Sequence, residues 1–276
     1  MRIGLSTPIV TAVPGLTSAW ESTAGPDELS RVAGCADELG FDHLTCSEHV
    51  AVPAEVVGTR GGTYWDPLAT LAFLAARTRD IRLVTAVLVL PYHHPLEIAK
   101  RYGTLDRLSG GRVVLGVGVG SLREEFELLD ARWADRGAVT DARMRELRSA
   151  WGQSEVSGMV VSPTATGTGV PLWVGGRTMR SLRRAVELGD GWMPFGLTIE
   201  QLTNLLERVD LPEGFDVVLS TGHALDPLGD PRATAKALRR LAVAGATIAS
   251  CRVAATSAAH YCDQLAALRI IERDES

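Results

Sequence analysis

Two residues that could transfer a proton stand side by side at the end of a predicted strand. Glu48 and His49 follow the stretch 41–47, which reads as a strand. An imidazole can exchange a proton near neutral pH, and the neighbouring carboxylate offers a further acid or base. Because consecutive strand residues point to opposite faces, only one of the two is expected to face a pocket. A hydrogen-bonded structural histidine is at least as good an interpretation of His49 from the sequence alone.

A glycine-rich segment follows a short apolar run in the middle of the chain. Residues 113–115 predict a buried strand, which ends in Gly116, Gly118 and Gly120. Glycines at alternate positions leave the backbone N–H groups at the strand end free to face an anion or a flat ring. The spacing is Gly-x-Gly-x-Gly, whereas dinucleotide-binding domains use Gly-x-Gly-x-x-Gly. A Rossmann domain is therefore the weaker interpretation.

A second glycine pair, Gly175 and Gly176, stands with Arg177 directly before a predicted helix. Free N–H groups, the positive end of the helix dipole and a guanidinium could together hold a phosphate. The alternative is a tight turn beside a solvated arginine. Two glycine-ended strands in one sheet make a phosphate-bearing ligand the better interpretation.

Residues for covalent or metal chemistry are missing from the expected positions. No lysine ends a predicted strand, and neither a Gly-x-Ser-x-Gly elbow nor a His-Glu-x-x-His motif is present. His93 and His94 have no third ligand nearby, which favours capping or surface exposure over a metal site. The cysteines form no Cys-x-x-Cys pair and read as buried free thiols, with a disulfide or a metal site as alternatives. We therefore expect no metal, and a cofactor that carries the reaction.

The elements that must position these residues alternate regularly along the chain. Predicted strands lie at 2–7, 41–47, 81–90, 113–115, 171–176, 191–195, 215–221 and 246–253, and a helix is predicted after each. The nearly continuous apolar run at 81–90 is typical of a parallel strand covered on both faces. Eight such units favour a single-domain (β/α)8 TIM barrel over residues 1–276. The active site of such a barrel lies at the carboxyl ends of its strands, where the candidate residues are expected.

Composition argues against several other classes of protein. The chain has 276 residues, a net charge of −5 and no basic stripe interleaved with aromatic residues, so a nucleic-acid partner is not expected. No apolar run approaches about 18 residues, and residues 2–6 read as a strand and not as part of a signal peptide. We expect a cytoplasmic protein with no membrane partner.

Several groups of residues, in order along the chain, resemble one known family. They are Gly-Phe-Asp-His at 40–43 with Glu48 and His49, then 91–100, Leu-Asp-Arg-Leu-Ser-Gly-Gly-Arg at 105–112, 116–120, and 171–177 with Gly-Asp-Gly-Trp at 189–192. Together they resemble the luciferase-like monooxygenase superfamily, and within it the branch of coenzyme F420-dependent oxidoreductases. The resemblance implies a (β/α)8 barrel, usually a homodimer, that binds F420 or a flavin at the carboxyl mouth and acts on a small molecule.

The resemblance also implies roles for individual residues. His49 would lie beside the cofactor ring as acid or base, with Glu48 as a second catalytic candidate. Ala86–Val87 would by position be a non-proline cis peptide that supports the ring from behind. The residues implied in cofactor binding are Ser47, Ala86, Val87, Gly118, Val119, Gly120, Gly175, Gly176 and Arg177.

Two positions depart from the sugar-phosphate dehydrogenases of the resembled family. Ser121 stands where those enzymes carry a glutamate, and Pro53 stands near the position of a tryptophan, so a glucose 6-phosphate substrate is not expected. The leading interpretation is an F420-dependent enzyme that transfers a hydride between the deazaflavin C5 and a small organic substrate. One alternative is an FMN-dependent monooxygenase supplied with reduced flavin by a partner reductase. The other is a barrel without catalysis that acts as a binding subunit.

Overall fold

Eight parallel strands form a closed barrel in the computed structural model, which describes residues 1–167 and 169–275. Each strand pairs in parallel with its neighbours in chain order, and pairing of the last strand with the first closes the barrel. The predicted (β/α)8 TIM barrel is confirmed. The strands are β1 (Arg2–Ser6), β2 (His43–Cys46), β3 (Arg82–Thr85), β4 (Val113–Gly118), β5 (Leu172–Gly175), β6 (Gly191–Met193), β7 (Asp216–Leu225) and β8 (Ile248–Val253).

A helix follows every barrel strand. Several of these helices begin with proline, which is favoured there because its φ angle is preset and its missing N–H would have no helical partner. Asp66 and Asp230 cap two of them by accepting the backbone N–H three residues later. The helices are α1 (Pro26–Glu38), α2 (Pro67–Ala75), α3 (Pro95–Ser109), α4 (Arg136–Ala150), α5 (Met179–Leu188), α6 (Ile199–Leu206), α7 (Pro231–Val243) and α8 (Ala258–Glu275).

Shorter elements lie in the connections between strands and helices. Val57–Arg60 is a helical turn between β2 and α2, and Arg123–Leu128 is a short helix between β4 and α4. Thr11–Ala12 pairs antiparallel with Thr63–Tyr64, so the connections that follow β1 and β2 are joined. The remaining elements are the strands Leu88–Val89, Glu155–Val156 and Met159–Val160 and the 3-10 turns Ala19–Ser22, Ala54–Val56 and Leu90–Tyr92.

Apolar side chains fill the barrel interior as well as the layer between strands and helices. The interior cluster is fully buried and draws on five strands, with Met193 of β6 packed against it. Such filling makes a (β/α)8 barrel a packed core and not a pore. The part of the chain that the structure describes has no helix both long and apolar enough to cross a membrane. The buried interior residues are Val84, Val114, Trp173, Val218 and Ile248.

A charged cluster closes the amino end of the barrel around His43 and Asp42. His43 is fully buried, and its Nδ1 lies 2.7 Å from Asp42 Oδ2. Arg82 Nη2 donates to the same oxygen at 2.6 Å, and Arg2 donates to Oδ1 at 3.1 Å. Burial alone would raise the pKa of Asp42, but the hydrogen bond from His43 and the charge of Arg82 outweigh it and hold that pKa well below its usual value.

Gly4 of β1 makes room for the His43 ring. A Cβ at this position would overlap the ring atoms, which cannot easily shift because the imidazole is buried and bonded to Asp42. Gly4→Ala is therefore expected to lower the free energy of unfolding by about 2 kcal/mol or more, in the range typical of an overfilled core. Urea unfolding followed by circular dichroism measures this change.

The matched control is Gly34→Ala in α1, where a Cβ would meet no atom within 4 Å. Alanine is favoured over glycine in a helix by about 1 kcal/mol, so this variant should be as stable as the wild type or more so. A Gly4→Ala protein with wild-type stability would contradict the packing of His43 against β1.

Asp42→Asn is expected to lower the free energy of unfolding at pH 7 by about 2 kcal/mol, because a neutral carboxamide replaces the ionised acceptor that His43, Arg82 and Arg2 share. The folded pKa of Asp42 lies below the unfolded value of about 3.9, so the carboxylate stabilises the fold above that pH. This contribution is lost as the pH falls towards the folded pKa. Unfolding from pH 7 to pH 3 should therefore show the two proteins converging in acid. The exposed Asp210→Asn should lose little stability at pH 7 and show no such convergence.

Candidate active site

The structure places the candidate residues at the carboxyl ends of four neighbouring strands. Ser47, Glu48 and His49 follow β2, and Ala86–Val87 follows β3. The glycine segment 116–120 ends β4, and the segment 175–177 ends β5. Since β2 to β5 pair in this order, all of these residues lie along one side of the barrel mouth.

A bulge interrupts the third strand at the mouth. The Ala86–Val87 peptide is cis, as expected from the resemblance, and both residues are partly exposed. Ala86 donates its N–H to Cys46 O at 2.8 Å and accepts the Ser47 hydroxyl on its own carbonyl at 2.8 Å. Pairing with β4 resumes at Leu88–Val89. The bulge is thus held from the β2 side by Ser47 and from the β4 side by strand pairing.

The side chain of Val87 explains two of the glycines. A Cβ on Gly118 would lie 2.6 Å from Val87 Cγ2, and a Cβ on Gly175 would lie 2.7 Å from Val87 Cγ1. Both strand ends therefore meet the same isopropyl group. Gly116 is required in a similar way, because a Cβ there would overlap the carbonyl oxygen of Thr85. The glycines expected to leave the backbone open to a ligand instead admit the neighbouring strand.

The partly exposed residues of the two glycine segments begin directly after the buried Gly118 and Gly175. Val119, Gly120 and Gly176 are partly exposed, whereas Gly118 and Gly175 are buried. Gly120 and Gly176 have φ angles of +78° and +130°, which glycine adopts without steric cost. Arg177 is exposed, and its guanidinium carbon lies 6.0 Å from the centre of the Phe195 ring.

His49 is oriented by a buried carboxylate that the sequence interpretation did not single out. Glu125 lies on the short helix Arg123–Leu128, and its side chain is fully buried. Its Oε2 is 2.8 Å from His49 Nδ1 and accepts the Tyr92 hydroxyl at 3.1 Å. Its Oε1 accepts the backbone N–H of Val50 at 2.6 Å and of Ala51 at 3.3 Å. One carboxylate thus satisfies four donors.

The groups that donate hydrogen bonds to Glu125 determine which ring nitrogen of His49 carries the hydrogen. Burial raises the pKa of Glu125, but the hydrogen bond and charge of His49 and the backbone N–H groups of Val50 and Ala51 more than offset it, and the pKa lies below its ordinary value. Glu125 is therefore an ionised acceptor, and His49 Nδ1 carries the hydrogen. The other ring nitrogen, Nε2, is left as the atom that can accept or release a proton.

Tyr64 covers one side of His49. The two rings meet edge to face with centroids 4.5 Å apart, and the Tyr64 hydroxyl donates to the carbonyl of Arg60 at 2.6 Å. Burial raises the pKa of Tyr64, so its hydroxyl keeps its proton. The segment 51–65 therefore packs against the candidate acid or base.

Glu48 binds partners different from those of His49. Its Oε2 accepts the N–H of Val89 at 2.6 Å, and its Oε1 lies 2.7 Å from His93 Nε2. Glu48 thus fixes the chain on the far side of the bulge. His94 caps α3 by accepting the N–H of Leu96 at 3.2 Å, which agrees with the capping interpretation. Over residues 1–167 and 169–275 no group of three or more His, Cys, Asp or Glu could hold a metal ion.

The sequence does carry a partial signal for Glu125. Leu122, Glu125 and Phe126 are buried and follow helical spacing inside a segment that is otherwise charged. A carboxylate on the apolar face of a short helix indicates a buried partner, but nothing in the sequence says that this partner is His49. Arg60 and Tyr64, in a connection with no clear pattern, gave no signal at all.

The model of the luciferase-like monooxygenase family matches residues 1–220. The chain belongs to this family. One relative is 4-hydroxyprotoasukamycin monooxygenase of Streptomyces nodosus subsp. asukaensis, 41% identical over 99 residues. The match covers 36% of this chain but only 25% of that monooxygenase, so this chain spans about a quarter of the relative's length.

Two solved structures of similar fold cover almost the whole chain. Monooxygenase RslO1 from Streptomyces bottropensis has a TM-score of 0.74 at 23% identity, over 99% of both chains. An F420-dependent secondary alcohol dehydrogenase in complex with an F420-acetone adduct also has a TM-score of 0.74, at 13% identity, over 100% of this chain and 99% of that one. At these identities the likeness concerns the fold alone. The curated relative and the matched family model are both described as monooxygenases.

In Glu125→Gln, neutral His49 is expected to carry its hydrogen on either ring nitrogen, because a carboxamide can donate to Nδ1 as well as accept from it. In the wild type, neutral His49 should carry its hydrogen on Nδ1 alone, whereas the variant should populate both ring forms. Ring ¹⁵N NMR of histidine-labelled protein distinguishes them. Glu124→Gln, exposed on the same short helix, should leave the His49 signals unchanged. A wild-type hydrogen on Nε2 would be incompatible with the role given to Glu125.

Proposed function

We propose that the protein is an oxidoreductase that binds coenzyme F420 at the carboxyl mouth of the barrel and acts on a small organic substrate. The observation that carries the proposal is the contact of His49 Nδ1 with the buried Glu125 carboxylate, after β2, the strand that pairs with the one carrying the bulge at Ala86–Val87. It leaves a proton-exchanging nitrogen on a partly exposed histidine at the mouth. When bound, F420 supplies a hydride donor or acceptor at C5 of its deazaflavin ring.

The residues at the mouth fit a flat ring with an anionic tail. Ala86 and Val87 are apolar and partly exposed, which suits contact with the face of a ring. Gly120 and Gly176 offer partly exposed backbone at the ends of β4 and β5, and Arg177 adds a positive charge. The residues proposed to hold the cofactor are Ser47, Ala86, Val87, Val119, Gly120, Gly176 and Arg177, with Gly118 and Gly175 admitting Val87 beneath them.

His49 is the residue proposed to move the proton that accompanies hydride transfer. Glu125 holds the imidazole from behind, so that Nε2 can take a proton from the substrate or give one to it. Tyr64 shields one side of the ring from water. Glu48 is proposed to position the bulge through Val89, and not to exchange the proton, because its carboxylate is bound on the far side.

A second candidate function is an FMN-dependent monooxygenase that receives reduced flavin from a partner reductase. The observation that favours it is the 41% identity to a monooxygenase, within the stretch of 99 residues. The same mouth would hold the flavin ring and its phosphate. A binding subunit without catalysis is the weaker proposal, because a buried carboxylate aimed at a partly exposed histidine serves proton exchange better than it serves packing.

Titration of the purified protein with F420 and with FMN, followed by cofactor fluorescence, decides between the two. We expect saturable binding of F420 at about micromolar concentration or below, and no saturable response to FMN. His49→Ala should bind F420 as the wild type does, while turnover of an identified substrate falls by about 100-fold or more, the usual contribution of a general acid or base. Saturable FMN binding without an F420 response would favour the monooxygenase.

A further inference from the structure

A single arginine reaches from the segment 51–65 to the end of β4. Arg60 is the only basic residue of that segment, and its Nη1 donates to the Ser121 hydroxyl at 2.9 Å. Ser121 directly follows Gly120, the partly exposed residue of the glycine segment. The Arg60 guanidinium therefore lies at the same corner of the mouth as the exposed glycine backbone.

The charge of Arg60 is not neutralised within the described chain. No Asp or Glu in residues 1–167 and 169–275 forms an ion pair with Arg60, and the contact with Ser121 uses one of its five N–H donors. Arg177, on the neighbouring β5 end, likewise has the Phe195 ring as its described partner and no carboxylate. Because β4 and β5 pair, Arg60 reaches, through Ser121, the end of the strand next to the one that Arg177 follows.

The backbone that carries Arg60 is firmly fixed. Gly61 has a φ of +83°, and a Cβ there would overlap the carbonyl oxygen of Ala12. The next residues pair with Thr11–Ala12, and the Arg60 carbonyl accepts the Tyr64 hydroxyl at 2.6 Å. A side chain on such a rigid support loses less freedom when it binds a ligand, which favours affinity.

We propose that Arg60 is a ligand for the phosphoryl group of the cofactor, so that the segment 51–65 completes the anion site at the ends of β4 and β5. This inference rests on the proposed function. The free donors of a guanidinium match two oxygens of a phosphoryl group, whereas the Ser121 hydroxyl occupies one donor and carries no charge. The same segment places Tyr64 against His49, so one connection serves both the anchoring of the cofactor and the covering of the acid or base.

The test compares FO 5′-phosphate and F420 with the deazaflavin FO, which lacks the phosphoryl group, on wild type and Arg60→Ala. A charge-assisted contact to phosphate is worth about 10-fold or more in affinity, so the Kd for F420 and for FO 5′-phosphate should each rise by at least about 10-fold, whereas a loss for F420 alone would assign Arg60 to the carboxylate tail. The Kd for FO should stay unchanged, which also shows that the variant is folded. Arg60→Lys should fall between the two, because it keeps the charge but not the planar fork.

Two control variants separate this effect from a general change in charge. Arg208→Ala removes an exposed arginine just after α6, and Thr59→Ala alters the exposed residue next to Arg60. Both should bind F420 and FO as the wild type does. Equal weakening of F420 and FO by Arg60→Ala, or no weakening of either, would overturn the assignment of Arg60 while leaving the proposed function intact.

If the wild type binds FMN and not F420, the same comparison is made with FMN and riboflavin. A loss confined to FMN supports the phosphoryl contact of Arg60 even though the F420 proposal has failed. If the wild type binds none of the five compounds, the proposed function and the assignment of Arg60 both fall.

Discussion

The mouth of this barrel depends on one buried carboxylate. Glu125 accepts the Tyr92 hydroxyl and two backbone N–H groups directly after His49, and its contact with His49 Nδ1 completes the set. These donors come from the chain following β2 and the turn following β3, while Glu125 itself follows β4. A buried charge is tolerated only when its hydrogen-bonding capacity is satisfied, so these three segments must come together for the fold to accept it. The arrangement that stabilises the carboxylate also orients the proposed acid or base.

A second close contact brings the strand ends of β3, β4 and β5 together. Val87, in the bulge of β3, lies in a notch that exists because Gly118 and Gly175 lack side chains. A larger residue at either position would push the bulge outward or separate the strands, since interiors of this density leave no spare volume. Gly118 and Gly175, which first suggest an anion site, thus serve to admit the Val87 side chain, and the proposed anion contacts belong to the partly exposed residues beside them.

The arginines at the two ends of the barrel differ in their partners. At the amino end, the carboxylates Asp42 and Asp216 face Arg2, Arg82 and His43, so the charges there are paired within the protein. At the carboxyl mouth, Arg60 and Arg177 have no described carboxylate partner. Paired charges at one end stabilise the fold, whereas unpaired positive charges at the other leave capacity for an anionic ligand. This division agrees with the rule that (β/α)8 barrels place function at the carboxyl ends of their strands.

The sequence by itself determined the order and type of the main elements. Alternating apolar runs and proline-started helices located all eight units, and strand-end positions singled out His49, whereas Ala86–Val87 came from the family resemblance. It also indicated that only one of Glu48 and His49 would face a pocket, because alternation of side chains is a local property of an extended chain. The pattern of residue types alone did not show the bulge after Thr85, which only the family resemblance implied, or the short helix Arg123–Leu128, since neither interrupts that pattern.

Only the tertiary structure decided which residues act together. Glu125 is 76 positions from His49, and Arg60 is 61 positions from Ser121, so no local spacing relates either pair. The role of the glycines was decided in the same way, because the side chain that fills the space beside Gly175 comes from Val87, on another strand. Local sequence fixes which way a residue points along its own element. Its partner is fixed by the closing of the barrel, which brings distant parts of the chain to one mouth.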